Sequence, residues 1–309
     1  MQIKISVRNL VEFLLRSGNI DNRYAAFSDA AMAEGSRIHR MLQKRMGSAY
    51  QAEVPLRYVY ATDSYDIVIE GRADGVIVDE NGITIDEIKG TYRDIMKMEE
   101  PVGVHLAQAK CYAYLYVQQS REQPPELRVR MTYCNLDTEE LRYFHKTYPY
   151  KELENWFLEL VCQYQKWADM EFAWKNKRQA SIHELEFPFA YREGQKELAA
   201  NVYRTICHKR KLFLEAPTGV GKTICTVFPA VKAIGEEKAE RIFYLTAKTI
   251  TRTVAEETFT LLRQRGLAFK TVLLTAKDKI CFQGELECNP EACPYAEGHY
   301  DRINDALYD

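Results

Sequence analysis

The segment of residues 215–223 (EAPTGVGKT) constrains the fold of this chain more than any other feature of its sequence. A strand-like apolar run precedes it and a helical pattern follows it. Glycines in such a loop let the backbone approach a bound anion, and the exposed amides of the loop and of the next helix favour phosphate. We expect a lysine to contact the β- and γ-phosphates and a hydroxyl to ligate Mg²⁺. The pattern predicts ATP binding by five residues: Thr218, Gly219, Gly221, Lys222 and Thr223.

Three strand-like apolar runs alternate with helical patterns in this part of the chain. They are residues 211–216 (KLFLEA), 241–247 (RIFYLTA) and 271–276 (TVLLTA). Strands that alternate with helices favour a parallel sheet with helices packed on it. We therefore predict a P-loop α/β domain that contains these three strands.

The residues before this domain follow a different order of patterns. Helical periodicity over residues 1–48 is followed by a period of two over 52–89, a helix over 103–119, two strands over 127–146 and a long helix over 150–175. A chain of 309 residues is long enough for about two domains. We predict an α/β fold in both and divide the chain into a first domain at 1–175, a linker at 176–186, a partial ATP-binding lobe at 187–280 and a cysteine-rich segment at 281–309.

A β-hairpin is predicted around the turn signal Asn81-Gly82, which separates two strand-like runs. With these two residues as the loop, Asp74 lies opposite Lys89, and Glu87 is its diagonal neighbour on the same face. A register shifted by two residues, with Glu80-Asn81 as the loop, also keeps all three side chains on that face, whereas a one-residue slip does not. Two carboxylates and a lysine therefore converge beside a hydrophobic core.

This arrangement of side chains suits metal-assisted cleavage of a phosphodiester. Asp74 and Glu87 would hold Mg²⁺ or Mn²⁺ through oxygen ligands and leave open positions for water and phosphate. Lys89 would orient the attacking water and offset the developing charge. The competing interpretation is a solvated cross-strand ion pair with little effect on stability.

The pattern Gly71-Arg-Ala-Asp74 followed by Asp86-Glu-Ile-Lys89 resembles the PD-(D/E)XK nucleases, and specifically their RecB-like branch. The resemblance covers the first domain and implies a mixed sheet flanked by helices. It also implies that His39, on a preceding helix, is an additional metal ligand. One face of a later helix would present three side chains to DNA: His105, Gln108 and Tyr112.

The second domain resembles superfamily 2 helicases. Ala216 replaces the first glycine of the general phosphate-loop pattern, which is a variant found in that superfamily. Gln195, which follows an aromatic segment, resembles the adenine-reading Q motif. Residues 244–249 resemble motif Ia, in which Thr246 and Lys248 would contact the phosphates of a single strand.

Cys281, Cys288 and Cys293 are spaced C-x6-C-x4-C. Three nearby thiols in a reducing compartment favour a metal, but the spacing alone selects neither zinc, which His299 could complete, nor an iron–sulfur cluster. Their position after the third predicted strand resembles the XPD/DinG-type helicases, which carry a 4Fe–4S domain inserted in their first motor lobe. That resemblance implies a 4Fe–4S cluster whose fourth ligand lies beyond Asp309.

Two elements of such a motor are missing from the sequence. No Asp-Glu-x-His box follows the phosphate loop, and there is no second motor lobe. The chain is therefore expected to be a fragment that does not unwind DNA by itself.

Charge and composition limit the partners of the chain. The formal net charge is -2, so local basic patches would have to bind a nucleic acid. The sequence has neither a secretory signal nor an apolar run of membrane-spanning length, and we expect a cytoplasmic protein without a membrane partner.

The motifs together predict an ATP-dependent DNA helicase of the XPD/DinG type with an N-terminal metal-dependent nuclease. It would act in DNA processing or repair, on DNA that is single-stranded or has single-stranded ends. The rival hypothesis is a non-catalytic DNA-binding module attached to a helicase. The joint presence of Asp74, Glu87 and Lys89 favours the enzyme, because a binding module needs none of them.

Overall fold

The computed structural model describes residues 1–23, 29–120, 124–217, 219–247, 249–284 and 287–308. The chain divides into two units, Met1–Asp169 together with Lys277–Asp309, and Met170–Ala276. The mixed α/β character predicted from the sequence is confirmed. None of the helices among the described residues has the length and apolar character that crossing a membrane requires.

The described chain contains helices and strands in an order that is mixed in its first half and helical in its second. In chain order they are β1 (Gln2–Ser6), α1 (Val7–Leu15), α2 (Asp29–Arg45), β2 (Tyr50–Ala61), β3 (Asp66–Asp79), β4 (Gly82–Thr91), α3 (Gly103–Ser120), β5 (Glu126–Asn135), β6 (Leu141–Pro149), α4 (Tyr150–Glu184), α5 (Gln195–Cys207), α6 (Lys222–Gly235), α7 (Thr249–Gln264) and α8 (His299–Tyr308).

All six strands form one mixed sheet, in which β3 has three partners. β2 lies antiparallel along one edge of β3. On the other edge, β1 runs parallel beside residues 66–70 and β4 runs antiparallel beside residues 75–79. Residues 71–74 lie between these two partners, so in the described ladder this part of the edge is open. Beyond β4, the parallel strand β5 and the antiparallel strand β6 complete the sheet.

The loop of the β3–β4 hairpin consists of residues 80–81, because Asp79 pairs with Gly82. The predicted register with a loop at residues 81–82, which set Asp74 opposite the lysine, is therefore wrong. The register shifted by two residues is correct. Gly82 has φ 105°, a backbone conformation that L side chains rarely adopt. This glycine is therefore needed at the first strand position after the loop.

Residues 2–6 form β1, although the sequence predicted a helix over the whole of residues 1–48. Ile3 and Ile5 alternate with polar residues, and this five-residue period-two pattern is too short to stand out beside the helices that follow. β1 pairs in parallel with the first part of β3, and Ile3 is buried by this pairing. The long-range pairing outweighs the local helical pattern.

α4 continues to Glu184 and includes most of the segment 176–186 that was predicted as a linker. Ile182 and Leu185 are buried in the core of the second unit, together with residues of α6 and α7. Burial of these apolar side chains stabilises the helix across a stretch whose local periodicity is weak. The segment is therefore helical through Glu184, and the domain limits, including the linker at 176–186, stay predictions.

The three runs predicted as strands in the second unit have no regular secondary structure in the described chain. Their large apolar side chains are exposed, with Phe213 at 93%, Leu245 at 88% and Leu274 at 85%. A parallel strand needs neighbouring strands to satisfy its backbone and helices to cover its faces. The described part of the chain does not supply these neighbours, so the unit is organised by its helices.

Candidate active site and phosphate-binding loop

Asp74 lies at the open edge of β3, where β1 has ended and the ladder with β4 has not begun. Its carboxylate replaces part of that missing ladder, because Oδ2 accepts a hydrogen bond of 2.7 Å from the backbone amide of Ile88. This bond fixes the Asp74 carboxylate beside β4. The two predicted residues of β4, Glu87 and Lys89, stand on either side of Ile88 along that strand.

Glu87 and Lys89 point to the same face of β4, and an ion pair of 2.7 Å joins Lys89 Nζ to Glu87 Oε1. Lys89 Nζ also donates to Gln108 Oε1 at 3.1 Å, and Gln108 Nε2 donates to the Tyr112 hydroxyl at 3.3 Å. Gln108 and Tyr112 are one helical turn apart on α3. The strand and the helix therefore hold the ammonium group beside the carboxylates through one row of hydrogen bonds.

The side chain of Glu87 is only 1% exposed. Its second oxygen, Oε2, has no hydrogen-bond partner among the described residues. Burial raises the pKa of Glu87, Lys89 opposes the shift and the charge of Asp74 adds to it, so that the pKa lies at about 8. A buried carboxylate oxygen without a partner is costly, and a bound cation would satisfy it. The interior of the cluster therefore suits a divalent cation.

α2 brings His39 to this cluster by packing Ile38 and Leu42 against Ile88. His39 Nδ1 lies 3.4 Å from Asp74 Oδ1. Burial lowers the pKa of His39, but its hydrogen bond to Asp74 and the charge of that carboxylate outweigh burial, and the net shift is upward. The His39 nitrogen and the Asp74 oxygen are therefore close enough to each other to bind one cation together.

Glu53 of β2 also joins the cluster, although it was not predicted from the sequence. One ligand atom from each of His39, Glu53 and Asp74 lies within 4.8 Å of the other two. Glu53 Oε1 accepts from Gln43 Nε2 at 3.0 Å, and Gln43 Nε2 also donates to the backbone carbonyl of Asp74 at 2.9 Å. Its position in the cluster depends on the β2–β3 register and on its left-handed backbone conformation, neither of which the sequence pattern indicates.

The three side chains predicted to face DNA do not form an open surface. Gln108 is 8% exposed and Tyr112 is 3% exposed. His105 is half-buried, and its Nδ1 lies 3.0 Å from the Tyr133 hydroxyl. Burial, with the charges of Lys89 and Arg8, lowers the pKa of His105 to about 3. The structure thus places Gln108 and Tyr112 against the carboxylate cluster, and their contact with DNA stays a prediction.

The phosphate-binding loop leads into α6, whose N-cap is Gly221. Gly219 and Gly221 have φ 82° and 73°, values that favour glycine. Lys222 Nζ donates to the backbone carbonyls of Ala216 and Pro217, both at 2.8 Å. The ammonium group is therefore folded over the loop, where the predicted phosphates would lie.

Gln195 begins α5, is 7% exposed and contacts the phosphate-binding loop. Its Oε1 accepts from the Arg192 amide and its Nε2 donates to the Val220 carbonyl, both at 2.8 Å. Phe187 and Tyr191 stack beside it, with ring centroids 4.1 Å apart. Both ends of the Gln195 amide thus bind this chain's own backbone, and adenine recognition stays a prediction.

Thr218 and Lys248 of the predicted sites lie outside the described residues. Thr223 is the second residue of α6, beside Lys222. Thr246 lies in an exposed run without regular secondary structure. Its contact with a single strand stays a prediction.

The cysteine-rich segment packs with the first unit. Lys277 donates to Cys288 Sγ, and this bond, with the charges of Cys288, Cys281 and Cys293, raises the pKa of Lys277. Cys288 and Cys293 are buried and Cys281 is half-buried. The backbone of Asn22 donates to the Cys288 carbonyl at 2.8 Å. Of the three predicted ligands, Cys288 contacts the lysine, and the segment is anchored to the loop that follows α1. Among the described residues, the three thiols do not form a group whose sulfur atoms all lie within 4.8 Å of one another.

Residues 8–181 match the PD-(D/E)XK nuclease superfamily, and this stretch contains the whole carboxylate cluster. The match spans more than half of the chain, so the chain belongs to that superfamily. Residues 193–285 match the DEAD/DEAH box helicase family, and they contain the phosphate-binding loop.

Two individual proteins are also similar to parts of the chain. Over 62 residues it is 42% identical to "Probable ATP-dependent helicase MJ0942" of Methanocaldococcus jannaschii, a stretch that covers 20% of this chain and 9% of that protein. The matched part of the chain thus spans only a small part of that relative's length. The crystal structure of SSO0001 aligns with 52% of this chain and 75% of its own, at 16% identity and a TM-score of 0.33.

Proposed function

We propose that this chain is a metal-dependent DNA nuclease joined to part of an ATP-driven DNA helicase. The observation that carries the nuclease proposal is the buried Oε2 of Glu87, which has no partner among the described residues and belongs to the residue opposite Asp74 in the β3–β4 register. Superfamily membership supports the same reaction class.

The donor atoms of the cluster fit Mg²⁺ or Mn²⁺. Asp74 and Glu87 offer carboxylate oxygens and His39 offers an imidazole nitrogen, while no thiol takes part. Three protein ligands leave positions for water and for a phosphate oxygen. A bound cation would polarise the phosphodiester and make a bound water more acidic.

Lys89 is placed to act on the attacking water and on the developing negative charge. Its ammonium group lies between Glu87 and Gln108, at 2.7 and 3.1 Å, and it is 23% exposed. It can therefore orient a water by hydrogen bonding while it remains next to the metal ligands. Gln108 accepts a hydrogen bond from the lysine and donates one to Tyr112, so these two residues hold the ammonium group in that position.

The test is cleavage of end-labelled single-stranded and double-stranded DNA by the purified chain. We expect cleavage with Mg²⁺ or Mn²⁺ and none with EDTA. A chain that binds DNA but never cleaves it with either metal would favour the rival function, a non-catalytic DNA-binding module attached to a helicase.

We further propose that the second unit binds ATP as part of a helicase of the XPD/DinG type. Replacement Lys222→Ala should weaken ATP binding by about tenfold or more, because it removes the cation nearest the phosphates. Calorimetry measures this, and the exposed Lys238→Ala serves as a control that should bind normally. Equal affinity of wild type and Lys222→Ala would contradict the assignment.

For the cysteine-rich segment we propose a 4Fe–4S cluster with a fourth ligand outside this chain. The C-x6-C-x4-C spacing of Cys281, Cys288 and Cys293 and their place after the third predicted strand support this proposal. Anaerobic reconstitution with iron and sulfide should give a brown protein that bleaches in air. One tightly bound zinc in the aerobically purified chain, lost on His299→Ala, would contradict this proposal.

The remaining parts of the proposal concern the whole protein. We propose domain limits at 1–175, 187–280 and 281–309, a cytoplasmic location, and a role in DNA processing or repair on single strands or single-stranded ends. The nuclease motif and the helicase match together support such a role, because strand separation supplies single strands for cleavage.

A further inference from the structure

We propose that Glu53 is a further ligand of the divalent cation in the nuclease site, presented by β2 opposite Asp74. The inference rests on the proposed nuclease function, because it concerns the same site. It adds a carboxylate from a third strand to the set of His39, Asp74 and Glu87.

The sheet register places three carboxylates in one row across three neighbouring strands. Glu53 lies directly opposite Asp74, because the residues on either side of both are paired with each other. The β3–β4 register puts Glu87 next to Asp74 on its other side. Like charges in directly opposite positions destabilise a sheet. A cation bound among them would turn this repulsion into attraction.

The backbone of Glu53 is adapted to this place. It has φ 56°, a left-handed conformation that is rare for residues other than glycine. The ladder between β2 and β3 passes from the pair Ala52–Gly75 to the pair Val54–Ala73 without a pair at this position. The carboxylate instead meets α2, where Glu53 Oε1 accepts from Gln43 Nε2 at 3.0 Å. His39 lies one helical turn before Gln43, so the same face of α2 borders the row.

The ligand atoms of His39, Glu53 and Asp74 would have to move only slightly closer together to bind one ion. Ligand atoms from His39, Glu53 and Asp74 all lie within 4.8 Å of one another. In an octahedral Mg²⁺ site, adjacent ligands lie about 2.9 Å apart and opposite ones about 4.1 Å apart. To bind the ion, Glu53 would give up its ion pair with Arg72, in which the two charged atoms lie 3.2 Å apart. The Arg72 side chain is 65% exposed and the Glu53 side chain is 46% exposed. Such a surface pair holds the carboxylate weakly.

A second observation in the same row points to a cation. Glu87 is buried to 1% exposure, and its Oε2 has no partner among the described residues. The β3–β4 register sets Glu87 opposite Asp74, so its carboxylate belongs to the same row. The row therefore contains an unsatisfied buried oxygen as well as opposed charges, and a cation held by Glu53, His39 and Asp74 would lie beside it.

The experiment compares Glu53→Gln with wild type in the full chain, without nucleotide. Titration with Mn²⁺, followed by calorimetry and by the electron paramagnetic resonance signal of free Mn²⁺, should show at least about tenfold weaker binding in the variant. In EDTA the variant should melt at a temperature no lower than wild type, since it loses a like-charge contact. On addition of Mn²⁺ it should gain less in melting temperature than wild type.

Glu70→Gln is the matched control, because Glu70 is an exposed glutamate on the same strand as Asp74 and outside the cluster. It should bind Mn²⁺ as wild type does. Wild-type Mn²⁺ affinity in a folded Glu53→Gln chain would overturn the inference and leave the nuclease proposal intact. Tight Mn²⁺ binding that depends on Glu53, without DNA cleavage by wild type, would overturn the nuclease proposal alone. If Glu53→Gln does not fold, Glu53→Asn, which tolerates a positive φ, takes its place with the same criteria.

Discussion

Replacement of Glu87 by Gln is expected to lower DNA cleavage by at least about a hundredfold, because a charged metal ligand is lost from the reaction centre. The fold should tolerate the change. Glutamine has nearly the size and shape of glutamate, and burial raises the pKa of Glu87, so burial disfavours the negative charge that the substitution removes. The measurement is initial cleavage rate on end-labelled DNA with Mg²⁺, together with melting temperature in EDTA.

The melting data separate a lost ligand from a damaged fold. In EDTA, Glu87→Gln should melt close to wild type, but it should gain much less stability when Mg²⁺ or Mn²⁺ is added. A variant with Lys89→Met should behave differently, since it keeps the metal ligands and should lose cleavage while it retains most metal binding. Undiminished cleavage by Glu87→Gln, with contaminating nuclease excluded, would show that the cluster is not the reaction centre.

The convergence of Asp74, Glu87 and Lys89 could be predicted from the sequence even though the predicted register was wrong. Side chains alternate along a strand with a period of two, so a shift of two residues leaves the same set on one face. The true register depends on Gly82, whose positive φ places it after the hairpin loop. A turn signal of Asn followed by Gly does not by itself distinguish these two positions.

Glu53 could not be found in the same way. Its place opposite Asp74 depends on the length of the turn between β2 and β3, and its carboxylate reaches the cluster with a left-handed backbone conformation. Local pattern favours a regular strand at this position, and only the tertiary surroundings can maintain the deviation. Residues of this kind can therefore be identified from the structure but not from the local sequence pattern.

In the second unit, the prediction of strands from the sequence was limited for a different reason. The apolar period of the runs that contain Phe213, Leu245 and Leu274 is real, but a strand forms only with partner strands. Helices α5 to α7 are less dependent on neighbours, since their backbone bonds are internal. Sequence patterns therefore predicted these helices and the phosphate-binding loop more directly than they predicted the sheet.

Asp86 provides a stability test on the opposite face of β4 from Glu87. It is fully buried, and Arg130 donates to it through Nε and Nη2, both at 2.9 Å. The Tyr50 hydroxyl donates at 3.0 Å and the Thr132 hydroxyl at 2.6 Å. Burial and the charge of Asp86 raise the pKa of Tyr50, which keeps that hydroxyl a donor. One carboxylate thus joins β2, β4 and β5 on the side of the sheet away from the metal cluster.

Replacement Asp86→Ala is expected to lower the free energy of unfolding by about 3–5 kcal/mol, because it leaves the Arg130 guanidinium, whose side chain is only 16% exposed, without a counter-charge. Urea unfolding in EDTA at neutral pH measures this. The double variant Asp86→Ala/Arg130→Met should recover part of the loss, since the unpaired charge is removed with its partner. A loss below about 1 kcal/mol for Asp86→Ala would contradict the role of this network.

The milder Asp86→Asn should retain wild-type Mn²⁺ affinity while folded, whereas Glu87→Gln should lose it. That contrast assigns metal binding to the second of the two adjacent acids and stability to the first.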